Sequence, residues 1–461
     1  MLLANKGRSK KELITLEGKI SYTRTILVPA DKNSSKKLFE YNASKSVCPV
    51  DDALQVSNLP FKCTCSVMLE VAYTAVSCSS FEEATEEINK HFNFQMSTSL
   101  VQDITDFVGL LAFQEQCKEV EEAKTIALNK KADDRKRRKR KDEVLYLMTD
   151  GAMVYVRDKE NVDNYEDDTI YVARRKNRRE KTAGINDSSM TVEEPKKKPE
   201  WTESKHAICF HSDNIKYYFE DEEHNSYTGN FADALRIVNG EAKGTITGHS
   251  ILQRDCIGLI GRSEVFKYHL LALANRNDWQ HCSLVVIIAD GAPWIRNAKD
   301  ELFKGKKVKR ILDLYHAKEN AGKFANYLGH TEEEKRQYAE YFCEMIETGH
   351  AEELLDELKE FETKQLPQGV PNLYGYIKNN LDAMDYPSYK KAGLFVGSGA
   401  MESGNKYMMQ DRMKLGGMKW NVYKARHMLC LKCHKASRTW NRVKRILEKY
   451  CNNEDCYTNI C

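Results

Sequence analysis

Residues 283–316 read SLVVIIADGAPWIRNAKDELFKGKKVKRILDLYH, and they indicate the type of fold. The apolar run 284–288 is rich in β-branched residues, which is typical of a strand buried on both faces of a sheet. Asp290 follows this strand, and a second apolar strand, 308–314, carries Asp313. The carboxyl ends of buried strands face the crevice where open α/β sheets bind ligands, so these strands are expected to bring acidic groups to one edge. Asp-Gly is also common turn chemistry, so a simple turn is the alternative.

The length and composition predict a globular protein. A chain of 461 residues with 41% hydrophobic residues is expected to form two to four domains and at least one full core. No apolar run approaches the ~20 residues needed to span a bilayer, and the first residues lack the apolar segment of a signal peptide. We therefore expect no membrane partner and a cytoplasmic location. Most of the 14 cysteines stand singly in apolar contexts, which favours reduced thiols over a disulfide framework.

The net charge is only +3, but the basic residues are gathered into blocks. The longest block consists of Arg135, Lys136, Arg137, Arg138, Lys139, Arg140 and Lys141. Such a run is either a solvated linker or an arm that binds a polyanion. In a bacterial host the second reading means phosphate contact beside the nucleoid, and in a eukaryotic host the run could also direct the chain to the nucleus.

The N-terminal part combines a small hairpin with helices. Residues 12–30 alternate apolar and polar positions on either side of a glycine, which predicts a hairpin. Residues 60–111 have helical periodicity, and Ser80 with Glu83 forms a capping-box pattern. Two short helices joined by a tight turn predict a helix-turn-helix with 98–110 as the recognition helix. The alternative is an ordinary helical bundle.

The middle of the chain follows one order of strands and helices. A first strand, 144–149, ends in Asp150, and it is followed by strands at 203–211 and 215–219, a helix at 263–276, and the two strands of the opening stretch. Three strands followed by alternating helix and strand predict a ribonuclease-H-like α/β sheet. In that topology the first and fourth strands lie side by side, so Asp150 and Asp290 are expected to meet at one edge.

The last third is predicted to be helical. Residues 397–399 open a helix that carries Glu402, and Lys406 lies one turn further on the same face, with Arg412 and Lys414 beyond it. A basic helix is expected over 421–450. Within the C-terminal part, four cysteines have a spacing that could bind zinc, but the first two lie inside a helical pattern, so we expect core thiols and no zinc: Cys430, Cys433, Cys451 and Cys456.

These observations divide the chain into seven segments. They are a small β-rich segment (1–59), a helical DNA-binding region (60–134), a basic linker (135–143), the first part of the core (144–316) with a flexible loop (158–200), a helical insertion (317–392), the last part of the core (393–450) and a cysteine-rich tail (451–461).

Acidic residues that converge from separate elements suit phosphoryl transfer assisted by two metal ions. Two Mg²⁺ ions about 4 Å apart activate a water or a 3′-hydroxyl and stabilise the leaving oxygen. Mg²⁺ takes few protein carboxylates and keeps its other positions for water and substrate phosphate. Mn²⁺ can substitute for it.

The motifs resemble those of bacterial insertion-sequence transposases of the DDE class. The matching motifs, in chain order, are Asp150-Gly, Trp201-x-Glu-x-Lys205, Asp290-Gly-Ala-x-Trp294, Leu312-Asp313-x-Tyr-His316, Gly397-Ser-Gly-x-x-Glu402 and Arg412-x-Lys-x-x-Gly-Met-x-Trp420. The similarity covers residues 12–445. The N terminus departs from the pattern, because the paired cysteines usual in relatives are missing, which puts a zinc ribbon and its part in end recognition in doubt.

The resemblance implies roles for individual residues. Asp150, Asp290 and Glu402 are expected to form the catalytic triad that binds two Mg²⁺ ions, while Asp313 and His316 match a motif for which support of the triad and phosphate contact are both open. Three cations near the catalytic helix are expected to hold DNA phosphates: Lys406, Arg412 and Lys414. Trp294 and Trp420 either stack on a base or pack in the core, and packing is favoured.

The resemblance implies a DNA transposase that binds the terminal repeats of a mobile element, cleaves phosphodiester bonds and joins the 3′-hydroxyl to target DNA. Because it acts on two ends, at least a homodimer is expected on double-stranded DNA. Two alternatives remain open at this point. One is a catalytically silent or domesticated relative that keeps DNA affinity, and the other is a stand-alone nuclease of the same fold.

Overall fold

The computed structural model describes residues 2–42, 46–54, 56–57, 59–129, 140–163, 198–303 and 307–452. The chain forms a mixed α/β protein with two compact units. The first unit consists of residues Met1–Gln116, Val156–Glu200 and Asp411–Cys461, and the second consists of Cys117–Tyr155 and Trp201–Gln410.

A five-stranded mixed sheet forms the centre of the second unit. Its strands are β3 (Arg140–Val156), β4 (Glu200–His211), β8 (Asp255–Ile260), β9 (Cys282–Ala289) and β10 (Val308–Leu312), and their spatial order is β10-β9-β3-β4-β8. The β3–β9 and β9–β10 pairs are parallel, and β4–β8 is antiparallel. The expected adjacency of the first and fourth strands is therefore confirmed. The sheet is buried on both faces, since the side chains of 285–288 are fully buried.

A separate three-stranded sheet lies between β4 and β8 in the chain. It has the order β6-β5-β7 and is formed by β5 (Ile215–Glu220), β6 (Ser226–Gly229) and β7 (Thr245–Ile251), with helix α6 (Phe231–Val238) between β6 and β7. The prediction that 215–219 is the third strand of the central sheet is wrong. In β5, buried positions alternate with more accessible ones, whereas β8 is buried along nearly its whole length and joins the five-stranded sheet at its edge, beside β4.

The predicted order of helices and strands after β8 is confirmed. Helix α7 (Ser263–Arg276) precedes β9, and α8 (Pro293–Leu302) connects β9 to β10. The expected insertion is helical throughout its regular elements, which are α9 (Leu314–Leu328), α10 (Glu332–Glu347), α11 (Ala351–Glu357), α12 (Leu373–Asn380) and α13 (Tyr386–Lys391). Helix α14 (Gly399–Asn405) follows, and it continues into a π-helical turn (Lys406–Gln410).

The first unit combines a two-stranded ribbon with helices. Strands β1 (Leu3–Thr15) and β2 (Gly18–Pro29) form the predicted hairpin and extend it toward the N terminus. The helices are α1 (Lys32–Asn42), α2 (Pro49–Ala53), α3 (Cys65–Ser77), α4 (Phe81–His91), the long α5 (Thr98–Asn129), α15 (Val422–Ala436) and α16 (Trp440–Cys451). The predicted single helix over 421–450 is thus two helices, and Arg438 between them has a φ of 57°.

The N-terminal cap of α4 agrees with the sequence. The Ser80 side chain accepts a hydrogen bond from the Glu83 amide at 3.0 Å. The Glu83 carboxylate closes back onto the Ser79 amide at 2.7 Å, one residue before the expected partner. This variant of the capping box still satisfies two amides that the helix leaves unpaired.

The expected recognition helix does not offer a face for a DNA groove. Residues 98–110 are the first part of α5, and within them Val101, Ile104 and Val108 are at most 1% exposed. Thr105 and Leu110 are also buried, so the apolar surface surrounds the helix instead of forming one stripe. A helix that reads DNA needs exposed polar side chains, and the helical-bundle alternative therefore describes this region.

Gly109 of α5 allows close contact with α15. A Cβ at this position would lie 2.7 Å from His427 Cβ and 2.9 Å from the His427 carbonyl oxygen. We expect Gly109→Ala to lower the free energy of unfolding by roughly 1–3 kcal/mol, because overpacking forces helices apart. Urea denaturation measures this change. Gly322→Ala is the matched control, since nothing lies within 4 Å of its Cβ in α9, and there we expect a gain of roughly 0.5–1 kcal/mol.

A gain in stability for Gly109→Ala would contradict the close approach of α5 and α15. Equal changes in stability for Gly109→Ala and Gly322→Ala would show that the close approach of His427 to Gly109 does not decide the effect.

None of the helices described by the structure is both long and apolar enough to cross a bilayer. Of the cysteines in the described residues, ten are not part of the disulfide that the structure contains, including Cys63 and Cys209, which are buried. Cys65 of α3 and Cys451 of α16 depart from the expectation of reduced thiols, because they are joined by a disulfide.

Candidate active site

Three acidic residues occupy the same level of three adjacent parallel strands. The last pair of the parallel register between β3 and β9 is Met148 with Ile288, and extending the register by two residues places Asp150 opposite Asp290. Leu312 of β10 pairs with Ala289, and the next residue, Asp313, lies on the other side of Asp290. We call Asp150, Asp290 and Asp313 the acidic row. The two Asp-Gly motifs therefore meet at the sheet edge where the sequence predicted an acidic site.

Asp150 lies inside β3, not at its end as predicted. The strand continues because β4 runs beside it, with the Thr149 hydroxyl donating to the His206 carbonyl at 2.9 Å and the Ser204 hydroxyl donating to the Ala152 carbonyl at 2.7 Å. These two hydroxyls link β3 and β4 on both sides of Asp150 and help to fix its position.

Two donors hold the Asp150 carboxylate. The Gly151 amide donates to Oδ1 and the Asn405 side-chain amide donates to Oδ2, both at 2.7 Å. Burial raises the pKa of Asp150, and the nearby negative charge of Asp290 acts in the same direction. The effect of the Asp290 charge on Asp150 indicates that the two carboxylates lie close together, an arrangement that a cation would stabilise.

Asp290 lies in the turn between β9 and α8. Its Oδ1 accepts a hydrogen bond from the Ala292 amide at 3.0 Å, and its backbone carbonyl accepts one from the Tyr376 hydroxyl at 3.1 Å. Burial raises the pKa of Tyr376, and the charges of Asp290 and Asp313 add to this effect. Tyr376 thus stays a neutral donor and ties helix α12 of the insertion to the Asp290 turn.

Asp313 serves to hold His316. It is fully buried and caps α9 through its Oδ1, which accepts from the Tyr315 amide at 2.9 Å. Its Oδ2 accepts from His316 Nδ1 at 2.8 Å and from the Ser398 hydroxyl. Burial would raise the pKa of Asp313, but the hydrogen bonds from His316 and Ser398 outweigh burial and lower it. Because these donors occupy both oxygens, Asp313 orients the imidazole.

His316 is a cation at neutral pH. The hydrogen bond to Asp313 and the charges of Asp313, Asp150 and Asp290 raise its pKa to about 9, although burial alone would lower it. The imidazolium therefore lies close enough to the first two members of the acidic row to offset part of their negative charge.

The raised pKa of His316 predicts a pH-dependent stability. The group stabilises the fold fully below its ordinary pKa of 6.5, and this contribution is lost as the pH rises through about 9. The difference amounts to roughly 2–3 kcal/mol in metal-free buffer. We expect His316→Gln to remove this decline, measured as urea-unfolding free energies on either side of the window. His330→Gln, an exposed position, is the control and should keep the decline of the wild type. An identical decline in His316→Gln would contradict the assignment.

Glu402, the third predicted acid, is on α14 and its side chain is exposed. The residue that reaches Asp150 from this helix is Asn405, one turn later on the same face and only 6% exposed. Sequence reasoning missed Asn405, although its spacing from Glu402 was a usable signal. It also treated Ser398 only as part of a helix start, whereas its hydroxyl donates to Asp313.

The donor set fits a hard divalent cation. Asp150 and Asp290 offer carboxylate oxygens, and Asn405 Oδ1 is buried and accepts no hydrogen bond from the described residues. Carboxylate and amide oxygens are the ligands that Mg²⁺ and Mn²⁺ accept. Within the described residues, no three His, Cys, Asp or Glu side chains are grouped closely enough to hold a metal ion as they stand.

Arg412, predicted to contact DNA phosphate, is buried. Its side chain is 1% exposed, and its guanidinium donates to the Ala75 and Ser79 carbonyls at 3.3 and 3.1 Å. It also stacks over Phe81 and Trp420, and burial lowers its pKa to about 10. Protein carbonyls and aromatic rings therefore surround this cation, and it is not exposed at the surface where a phosphate contact was expected.

The other residues predicted to contact DNA differ in how exposed their side chains are. Trp420 is 8% exposed and donates to the Met413 carbonyl at 3.3 Å, so it packs in the core and does not stack on a base. Trp294 is half-buried and meets Phe266 edge to face. Lys406 and Lys414 are exposed. The basic run of Arg135, Lys136, Arg137, Arg138, Lys139, Arg140 and Lys141 lies outside the residues whose side chains the structure describes.

The predicted core thiols are confirmed where they are described. Cys430 and Cys433 are 1% and 2% exposed on α15, inside a helix that is buried along most of its length. Cys456 lies outside the described residues. The chain matches no family model, and no curated protein is significantly similar to it.

Proposed function

We propose that this chain is a DNA transposase of the DDE class with a ribonuclease-H-like core. It would cleave phosphodiester bonds at the ends of a mobile element and transfer the 3′-hydroxyl into target DNA. The observation that carries the proposal is the parallel register that sets Asp150 beside Asp290 on the first and fourth strands of the central sheet.

The order of the strands supports the ribonuclease-H-like assignment. Counted along the chain, the strands of the central sheet lie in the order fifth, fourth, first, second, third, and the first, fourth and fifth are parallel. This is the order that three strands followed by alternating helix and strand predict. The carboxyl ends of the parallel strands then open into one crevice, where a ligand binds.

Two Mg²⁺ ions would be held by Asp150, Asp290 and Glu402, with the amide oxygen of Asn405 as a further candidate ligand. When bound, they supply Lewis-acid activation of the attacking oxygen and stabilisation of the leaving oxygen. Asn405 contributes in a second way, because its amide group holds the Asp150 carboxylate in place at 2.7 Å.

His316 adjusts the charge of the site for an anionic substrate. Two half-buried carboxylates side by side repel a phosphodiester, and the imidazolium offsets one of the two negative charges. Asp313 and Ser398 fix the orientation of the ring, so that its Nε2–H is directed away from Asp313 and remains a donor for a phosphate oxygen.

Cleavage and joining of the element's own ends test the proposal. The duplexes that flank the coding region are labelled at the 3′ end and incubated with the full chain and Mg²⁺, with a circular plasmid as target. We expect metal-dependent nicks at one position near each end, followed by joining of the label to the plasmid. Because two ends must be held together, joining should require at least a dimer on DNA.

The other outcomes identify the alternatives. Cleavage at many positions without joining would indicate a stand-alone nuclease and overturn the transposase assignment. Binding of the duplexes without any cleavage would indicate a catalytically silent relative and overturn the enzymatic assignment altogether.

A further inference from the structure

The β1–β2 ribbon has an outer face formed by cations and hydroxyls. The register pairs Arg8 with Thr25 and Lys10 with Thr23. Arg8, Lys10 and Thr23 are exposed, and Thr25 is half-buried. Because side chains alternate along a strand, these four residues lie on one face, which we call the cationic ribbon face.

The opposite face of the ribbon is fixed to the protein. Lys11, Tyr22 and Arg24 converge on Asp51 of α2, which is 2% exposed. Lys11 Nζ lies 2.8 Å from Asp51 Oδ2, the Tyr22 hydroxyl donates to Asp51 Oδ1 at 2.8 Å, and Arg24 donates to the same carboxylate. Three donors on one buried acid prevent the ribbon from turning over, so the cationic ribbon face stays outward.

The cations of the two faces differ in their partners. On the inner face Lys11 and Arg24 both pair with Asp51, and at the tip of the hairpin Lys19 pairs with Glu12 at 2.8 Å. The acid next to Lys10 on the outer face is Glu12, which Lys19 already pairs with, and within the described part of the chain neither Arg8 nor Lys10 forms an ion pair. Their positive charges are therefore available to a partner from outside, and that partner must be anionic.

We propose that the cationic ribbon face binds double-stranded DNA by lying in the major groove. The groove is about 12 Å wide and admits a two-stranded antiparallel ribbon. Arg8 and Lys10 would bind phosphates or the acceptor atoms of guanine, and Thr23 would contact base edges or phosphates. The inference rests on the proposed function, which identifies the duplex as the DNA at the ends of a mobile element. It assigns to the β1–β2 ribbon the DNA-binding role that the sequence predicted for helix 98–110.

The ribbon proposal is tested by neutralising its two cations. The double variant Arg8→Gln/Lys10→Gln of the full chain is compared with wild type in fluorescence anisotropy, using a labelled duplex from the DNA that flanks the coding region. We expect weaker binding by roughly tenfold or more, and a slope of log affinity against log salt that is smaller by about one unit per lost contact. Both residues are exposed, so the melting temperature should not change.

Lys364→Gln/Lys391→Gln is the matched control, because it removes the same charge from two exposed positions in the helical insertion. It should bind with the affinity and salt slope of the wild type. Equal affinity of the ribbon variant and the wild type would overturn the proposal, as would an equal loss in the control, since that loss would reflect net charge alone.

Substituted duplexes test the place of the ribbon in the groove. Replacing guanine by 7-deazaguanine removes an acceptor atom of the major groove and leaves the phosphates intact. We expect it to weaken binding by the wild type and to have less effect on Arg8→Gln/Lys10→Gln. Equal affinities of the wild type for the two duplexes would overturn insertion into the major groove.

These outcomes are separate from those of the proposed function. A chain that needs the cationic ribbon face for binding but never cleaves keeps the ribbon inference and loses the transposase assignment. A ribbon variant that binds and cleaves like the wild type overturns the ribbon inference and keeps the transposase assignment.

Discussion

Asp290→Asn is expected to abolish Mg²⁺-dependent cleavage of DNA while leaving the protein folded. Asn can keep the hydrogen bond from the Ala292 amide, so the turn after β9 survives. The substitution removes a negative charge from the pair formed with Asp150, and that pair is the part of the site best suited to a divalent cation. Loss of several kcal/mol of transition-state stabilisation corresponds to a rate decrease of about a thousandfold or more.

Two measurements on the same samples check this prediction. Calorimetric titration with Mn²⁺ in the presence of a duplex should show weaker or absent metal binding in Asp290→Asn, and the nicking assay should show the loss of cleavage. Asp300→Asn is the matched control, since it changes an exposed carboxylate on α8, the helix that follows Asp290 in the chain. It should bind Mn²⁺ and cleave the duplex like the wild type. Cleavage by Asp290→Asn at the wild-type rate would remove Asp290 from the active site.

Strands of the central sheet that contain a continuous apolar run could be predicted from the sequence. Strand β9 and helix α7 were found within two residues, because their sequences have unambiguous periodicity. Strand β8 was missed, since its short run DCIGLI contains a glycine and follows a region with no clear pattern. Strand β5 was predicted at 215–219, close to its observed bounds, but a strand pattern alone does not say which sheet the strand joins.

The helices of the first unit show a different limit. The predicted helix 98–110 ends where the apolar first half of α5 gives way to a charged second half, but the backbone continues as one helix through this change. The burial of 98–110 depends on packing with residues far along the chain, such as His427 against Gly109 and Asp106. Sequence periodicity identifies an apolar face and does not identify what covers it.

The sequence predicted the strand residues of the acidic site better than its helix residues. The positions of Asp150 and Asp290 follow from strand order and register, which the sequence pattern constrains. Asn405 and Ser398 required coordinates, because their contacts span long stretches of chain and join different elements. Asp313 could be recognised as an acid at a strand end, but its role as the partner of His316 depends on the first turn of α9.

Gly291→Ala is expected to have the largest effect on stability of the substitutions considered. Gly291 has a φ of 89°, in the left-handed region where a side chain is strained by roughly 1–2 kcal/mol. A Cβ there would also lie 2.8 Å from both Asn380 Nδ2 and Leu312 Cδ1. Asn380 is buried and receives a hydrogen bond from Arg310 at 2.7 Å, so it has little room to move.

Strain and overpacking together predict a loss of roughly 4 kcal/mol for Gly291→Ala, measured by urea denaturation. The other Asp-Gly motif provides the matched control. A Cβ at Gly151 would meet the Glu203 carboxylate at 2.4 Å, but that side chain is 52% exposed and can swing into solvent. Gly151 also has no positive φ, so Gly151→Ala should change stability by less than about 1 kcal/mol.

The comparison of the two glycines tests more than local strain. If Asp290-Gly291 were an adaptable turn, both substitutions would have similar small effects, because a free turn relaxes around an added methyl group. A large loss confined to Gly291→Ala would show that Asn380 and Leu312 hold the turn from two sides. Asp290 would then be kept beside Asp150 by the packing of α12 and β10, and not by the turn sequence alone.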